Sequence, residues 1–320
     1  MKRALLTVLA LGVALAQEVP GFLNYYLTQS PEWSQAVSEL ELAKARRKAL
    51  SEDPWAAPFE LAEAEDAVLR REAKLAQLRL RLWEEALSLY AAPVVARARL
   101  EAAEAALAEA ETQAEAARIR HERGAIRESE LEAAEEALEA ARLEAEGAKK
   151  ELELAEAALA RYQTKPPEAV PELTPPKDLR VEASPELALA RLAVRAARRA
   201  HDAASGPDTP RAERIRLEVS LNAAQRKLAA TQRALAERLS RLKEDYARAR
   251  ETLSLRRKQH QGAAAALEAA RIRFQKGLVS ELEVKGAKRR ERAAWLAQVE
   301  AELALAREAL RLFAFSEVER

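Results

Sequence analysis

Apolar residues recur along this chain in alternating steps of four and three. Ala96, Leu100, Ala103, Leu107, Ala110, Ala114 and Ala117 form one such row. Leu131, Ala134, Leu138, Ala141, Ala145, Ala148, Leu152, Ala155, Leu159 and Tyr162 form another. This is the period of helices packed along a seam, and the many alanines let helix axes approach closely. A second apolar row runs down the first of these helices at Ala98, Ala102, Ala105, Thr112, Ala116 and Ile119. A helix with two apolar rows needs neighbours on two sides. That favours a closed ring of helices over an isolated pair, although a simple four-helix bundle also satisfies the pattern.

The pattern occurs twice. Arg118, Ile119, Arg120 and Gly124 match Arg271, Ile272, Arg273 and Gly277 without gaps, and Ala134, Ala141, Ala148, Leu152 and Leu159 match Ala287, Ala294, Ala301, Leu305 and Leu312. Upstream, Ser30-Pro31-Glu32 corresponds to Ser184-Pro185-Glu186. Each is a helix start: Ser as cap, Pro in the first turn, and Glu at the positive end of the helix dipole. A shift this consistent points to duplication. The predicted organisation is a leader at 1–16, a first helical hairpin repeat at 17–161, a Pro-rich linker at 162–183 and a second hairpin repeat at 184–320. The linker is extended, because its five prolines forbid a continuous helix.

Helix lengths follow from 1.5 Å per residue. Residues 59–122 span roughly 95 Å, the returning segment from Ala125 to Tyr162 about 57 Å, and the short opening helix about 30 Å. In each repeat, then, one long helix is predicted to pair with two shorter ones stacked end to end. The breaks between the short and long helices read "SEDPWAAPF" and "SGPDTP", too short and too rich in Pro for membrane strands. The fold class is therefore all-α: two tandem repeats of long antiparallel coiled-coil hairpins, without β-barrel strands.

Composition agrees. Charged residues make up 33% of the chain and aromatics 4%, and acids and bases are interleaved as on solvated helix faces. The net charge of +1 gives no field for nucleic acid. There is no cysteine, which removes disulfides, thiolate metal sites and Cys nucleophiles. His121, His201 and His260 lack ligand spacing and are read as solvated or seam residues. No nucleophile–base set, metal motif or phosphate loop is visible, so neither enzymatic activity nor a cofactor is expected. The start reads as a secretory signal peptide: Lys2 and Arg3, an apolar run from Ala4 to Leu15, and an A-x-A pattern at Ala14-Leu15-Ala16. No Cys follows the cleavage point, which argues against a lipid anchor. An exported chain is expected.

The chain resembles the TolC-type outer-membrane efflux proteins. The likeness rests on the two repeats, the signal peptide and the turn motif aromatic-x-x-Gly-Leu/Ile-x-x-x-x-Asp/Glu-Leu/Val-x-x-Ala. Here the motif reads Phe274, Gly277, Leu278, Glu283, Val284, Ala287; in the first repeat it reads His121, Gly124, Ala125, Glu130, Leu131, Ala134. The resemblance implies a homotrimeric α-helical barrel crossing the periplasm of a diderm bacterium. Such a barrel is a passive conduit that meets a periplasmic adaptor protein and, through it, an inner-membrane pump. It implies adaptor-docking tips at Gly124, Ala125, Ile126, Gly277, Leu278 and Val279, and an entrance or gate at Glu130, Phe274 and Glu283. The family's Tyr and Arg partners of Glu130 are replaced by Phe274 and Val279, which implies a gate that is looser or differently latched. Without barrel strands, attachment to the outer membrane or to a partner barrel would fall to Trp33, Trp55, Phe59 and the stretch from Phe22 to Leu27, or these residues simply pack the end of the bundle. The competing reading is a coiled-coil spacer or tether of the cell envelope with no conduit.

Overall fold

The computed structural model describes residues 21–204, 206 and 209–316; the leader expected at 1–16 lies outside them. Among the described residues the chain forms seven α-helices: α1 (Gly21–Gln29), α2 (Pro31–Glu52), α3 (Pro58–Glu122), α4 (Glu128–Ala160), α5 (Pro185–Ala203), α6 (Arg211–Gln275) and α7 (Glu281–Leu312). Two short 3₁₀ turns, Val181–Ala183 and Phe313–Phe315, complete the set. The described residues contain no strand beyond an isolated bridge between Leu179 and Ser316. None of the described helices is long and apolar enough to cross a membrane.

The duplication is visible in the elements. α3 and α6 are each 65 residues long, and the returning helices α4 and α7 have 33 and 32. The Ser–Pro–Glu starts differ. Ser30 Oγ accepts a hydrogen bond from the Trp33 amide at 3.4 Å, as a cap should. Ser184 makes no side-chain cap bond; it is buried, and its own amide closes the preceding 3₁₀ turn on the Val181 carbonyl. Pro93 lies inside α3, fully buried, and the helix continues through it.

The chain packs as two compact units, each drawing on both repeats. One unit comprises residues up to Ala86, Leu173–Tyr246 and the C-terminus from Glu308. In it α2 lies along the first half of α3. Glu39 bonds to Arg71 and Glu32 to Arg81, while the Arg79 guanidinium lies over the rings of Trp33 and Trp83, 5.5 and 5.9 Å from their centroids. Burial lowers the Arg79 pKa. Trp83 in turn meets Phe313 edge-on at 6.0 Å. A second core joins Leu187 of α5, Leu235, Leu239 and Leu242 of α6, and Leu312 and Phe315 at the C-terminus. The Arg180 amide donates to the Phe315 carbonyl at 2.7 Å, so the end of the linker is fixed to the chain's last described turn.

The other unit holds residues Leu87–Glu172 and Ala247–Arg307. Here four helices lie in the order α4, α3, α7, α6. The seam read from the sequence joins α3 to α4 through Leu100, Ala103, Leu107, Ala145 and Ala148. The second apolar row of α3 faces α7: Val94 and Ala98 pack on Val299, Trp295 and Leu296, and Thr112 accepts a bond from Lys285 at 2.7 Å. α7 closes on α6 through Val284, Ala287, Leu267 and Ala270. His260 is a seam residue, with its ring nitrogens 2.8 Å from Gln298 and 3.1 Å from Glu291. Val170 of the linker packs on the Val94 cluster.

The aromatic residues assigned jointly to one end separate into two groups. Phe22, Leu23 and Leu27 of α1 and Trp33 at the start of α2 are buried, and Trp33 meets Arg79. Trp55 and Phe59 sit beyond the other end of this 22-residue helix and are exposed. The packing reading holds for the first group only.

Candidate functional site

The two hairpin tips are built alike. At the end of α3 the Gly124 amide donates to the His121 carbonyl at 2.8 Å, and the Ala125 amide reaches back to Arg120 at 2.8 Å. At the end of α6 the Gly277 amide donates to Phe274 at 2.8 Å and the Leu278 amide to Arg273 at 2.9 Å. This paired bonding is the Schellman closure, which needs a left-handed residue just past the helix. Gly124 has φ +67° and Gly277 φ +70°, a region that residues with a Cβ rarely adopt. The repeated glycines thus mark turns with the same backbone.

The side chains differ. Gly124 and Ala125 are exposed and Ile126 is half-buried, whereas the second tip presents exposed Gly277 and Leu278 beside half-buried Val279. Leu278 is 70% exposed, and Phe274 and Ile272 also face solvent. Glu130 and Glu283 are exposed, as are the neighbouring Glu128 and Glu132. Among the described residues no hydrogen bond or ion pair joins Glu130 to the second turn. The two turns come from one seam-packed unit, but the structure does not bring Glu130, Phe274 and Glu283 together as one bonded cluster.

Two features of the tips escaped the sequence reading. The first is charge. Residues 117–137 hold four Arg against six Glu, while the duplicated residues 270–290 hold seven Lys or Arg against two Glu. At the first tip Arg118 spans from α3 to Glu135 of α4 at 3.0 Å. The place of Glu135 is taken by Lys288 in the second repeat, so Arg271 pairs instead with Glu268 of its own helix at 3.5 Å. Comparing the charges of the repeats, rather than their apolar residues, would have revealed this.

The second is capping. Ser280 Oγ accepts from the Glu283 amide at 3.3 Å and caps α7, while the equivalent Arg127 precedes α4 without a side-chain cap. Arg127→Ser is expected to add the missing cap and stabilise the first tip by about 1 kcal/mol. Amide exchange in the first turn of α4 should slow accordingly.

No protein-family model and no curated protein matches the chain. Solved structures do match it. A membrane protein from Pseudomonas aeruginosa is similar with a TM-score of 0.64 at 15% identity, over 92% of this chain and 88% of that one. The outer membrane protein VceC of Vibrio cholerae gives a TM-score of 0.61 at 16% identity, over 92% of this chain and 95% of that one. The CmeC outer membrane channel of Campylobacter jejuni gives 0.58 at 14% identity, over 92% and 84%. At such identities the likeness is one of fold. The chain has the TolC-type fold in an all-helical form.

Proposed function

We propose that this protein is the tunnel component of a tripartite efflux or export system, a passive conduit in the periplasm and at the outer membrane of a diderm bacterium. In this reading three copies close into a helical barrel. An adaptor docks on the tips at Gly124, Ala125, Ile126, Gly277, Leu278 and Val279 and links the tunnel to an inner-membrane pump. The observation that carries the reading is the pair of identically closed tips in a duplicated fold shared with outer-membrane channels.

The faces left over support further copies. In the row α4, α3, α7, α6 the inner helices have neighbours on both sides, and the outer two carry uncovered leucines. Leu143 and Leu154 of α4 are 62% and 71% exposed, and Leu255 of α6 is 54% exposed. A neighbouring copy of the chain would cover such residues at a heterologous, ring-closing interface. The entrance would then carry three copies each of Glu130, Phe274 and Glu283. A ring of Glu283 carboxylates concentrates cations at a constriction.

Native mass spectrometry of the mature protein tests the assembly. The expected result is a trimer at micromolar concentration. A stable monomer would leave the leucines uncovered and favour an envelope spacer without a lumen.

A further inference from the structure

The connection between α2 and α3 is an ordered turn that holds large apolar side chains in water. Asp53 Oδ1 accepts from the Trp55 amide at 2.9 Å, and the Ala56 amide donates to the Asp53 carbonyl at 3.2 Å. Glu60 Oε2 accepts from the Ala57 amide at 3.2 Å and caps the start of α3. Pro54 and Pro58 fix φ on either side. The backbone is thus well defined, yet Trp55 is 91% exposed and Phe59 63%. Aromatic side chains held this open to solvent on a fixed turn are suited to insertion elsewhere.

We infer that this turn docks on a phospholipid surface, with Trp55 and Phe59 entering the interfacial layer and Arg46 and Arg47 meeting lipid phosphates. Trp is the residue most at home at that depth, where its ring is apolar and its N–H can still bond to headgroups or water. The charges around the turn fit the same partner. Of its acids, Asp53 and Glu60 bond to turn amides and Glu52 pairs with Lys48 at 3.8 Å, while Glu63, one helical turn beyond Phe59, is exposed. Arg46 and Arg47, on the last turns of α2, are exposed and pair with no carboxylate among the described residues. Arg46 and Arg47 are thus available to phosphate headgroups, which attract exposed cations near a membrane surface. The corresponding connection of the second repeat, "SGPDTP", has no aromatic residue, so docking falls to the first repeat. A spacer would dock in the same way, so the inference does not depend on the conduit reading.

Flotation of the full chain with protein-free vesicles of phosphatidylethanolamine and phosphatidylglycerol tests it. The chain is expected to float, and Trp55→Ser with Phe59→Ser to lower its partition by about tenfold or more. Both side chains are exposed, so the helical dichroism of this variant should match that of the parent. Arg46→Glu with Arg47→Glu is expected to weaken binding to these vesicles more than to pure phosphatidylcholine. The chain has no cysteine, so Ala56→Cys accepts a single environment-sensitive dye. Its emission should shift to the blue on vesicles, while the same dye at Lys150→Cys, exposed on α4, should not respond. Unchanged flotation of the Trp55→Ser/Phe59→Ser variant, or a dye at position 56 that stays in water, would overturn the inference. So would binding only to vesicles that carry outer-membrane proteins, which would assign the turn to a protein partner.

Discussion

A chain in which Gly124 and Gly277 are both changed to Val is expected to lose export and adaptor crosslinking while keeping its helices. A Cβ built on either glycine meets nothing within 4 Å, so the damage does not come from a clash. It comes from φ values of +67° and +70°. A left-handed conformation costs an L-residue roughly 1–2 kcal/mol, and a β-branched one fits it worst. The turn escapes this strain by opening the bonds from Ala125 to Arg120 and from Leu278 to Arg273, which moves the tip residues an adaptor would touch. The seam at Ala103, Ala145 and Ala148 lies several helical turns from the tip and should hold. Asn, which tolerates the left-handed region, should restore much of the function that Val removes. Circular dichroism, an export assay and crosslinking from position 278 together decide the matter. A Val double variant with full export and full crosslinking would remove the case for the tips, and an Asn variant as impaired as Val would show that glycine's size, not its φ, is what the partner requires.

Much of this architecture was legible because it is local. A heptad seam states which residues of one helix are covered, and the second apolar row of α3 announced a second neighbour before α7 was placed there by Ala98 and Val299. The tips were legible because duplication wrote them twice and because glycine past a helix has few other uses. What could not be read depends on partners distant in sequence. Trp33 was grouped with Trp55 because the two stand close in the chain, but α2 carries them apart, and Trp33 finds Arg79 and Trp83. The Ser184 cap was inferred from a motif that works at Ser30; burial beside the 3₁₀ turn left it unused. The opposite charges of the tips went unseen because an apolar alignment of the repeats ignores them.

Asp66 is another position with no local signal, and its environment leads to the second large expected effect. Its side chain is only 4% exposed, on the first turns of α3, and its partners are Arg199 and Arg195 of α5, more than a hundred residues later. Arg199 hydrogen-bonds to Asp66 Oδ2, whereas Arg195 lies 3.6 Å from Oδ1, which has no hydrogen-bond partner. The arginines are far less enclosed, at 32% and 55% exposed. This asymmetry orders the outcomes. Arg199→Ala leaves a buried carboxylate without its hydrogen bond and is expected to cost about 3 kcal/mol. Asp66→Ala leaves an arginine that can turn toward water, and should cost about 1–2 kcal/mol. Arg195→Ala removes a largely solvated partner and should cost under about 1 kcal/mol. The Asp66→Ala/Arg199→Ala chain should be no less stable than Arg199→Ala alone, because the stranded carboxylate is gone. Denaturant unfolding of the four variants measures each term. Equal and additive costs for Asp66→Ala and Arg199→Ala would mean that the two side chains act independently. The pair would then not be the tie that holds α5 of the second repeat against α3 of the first.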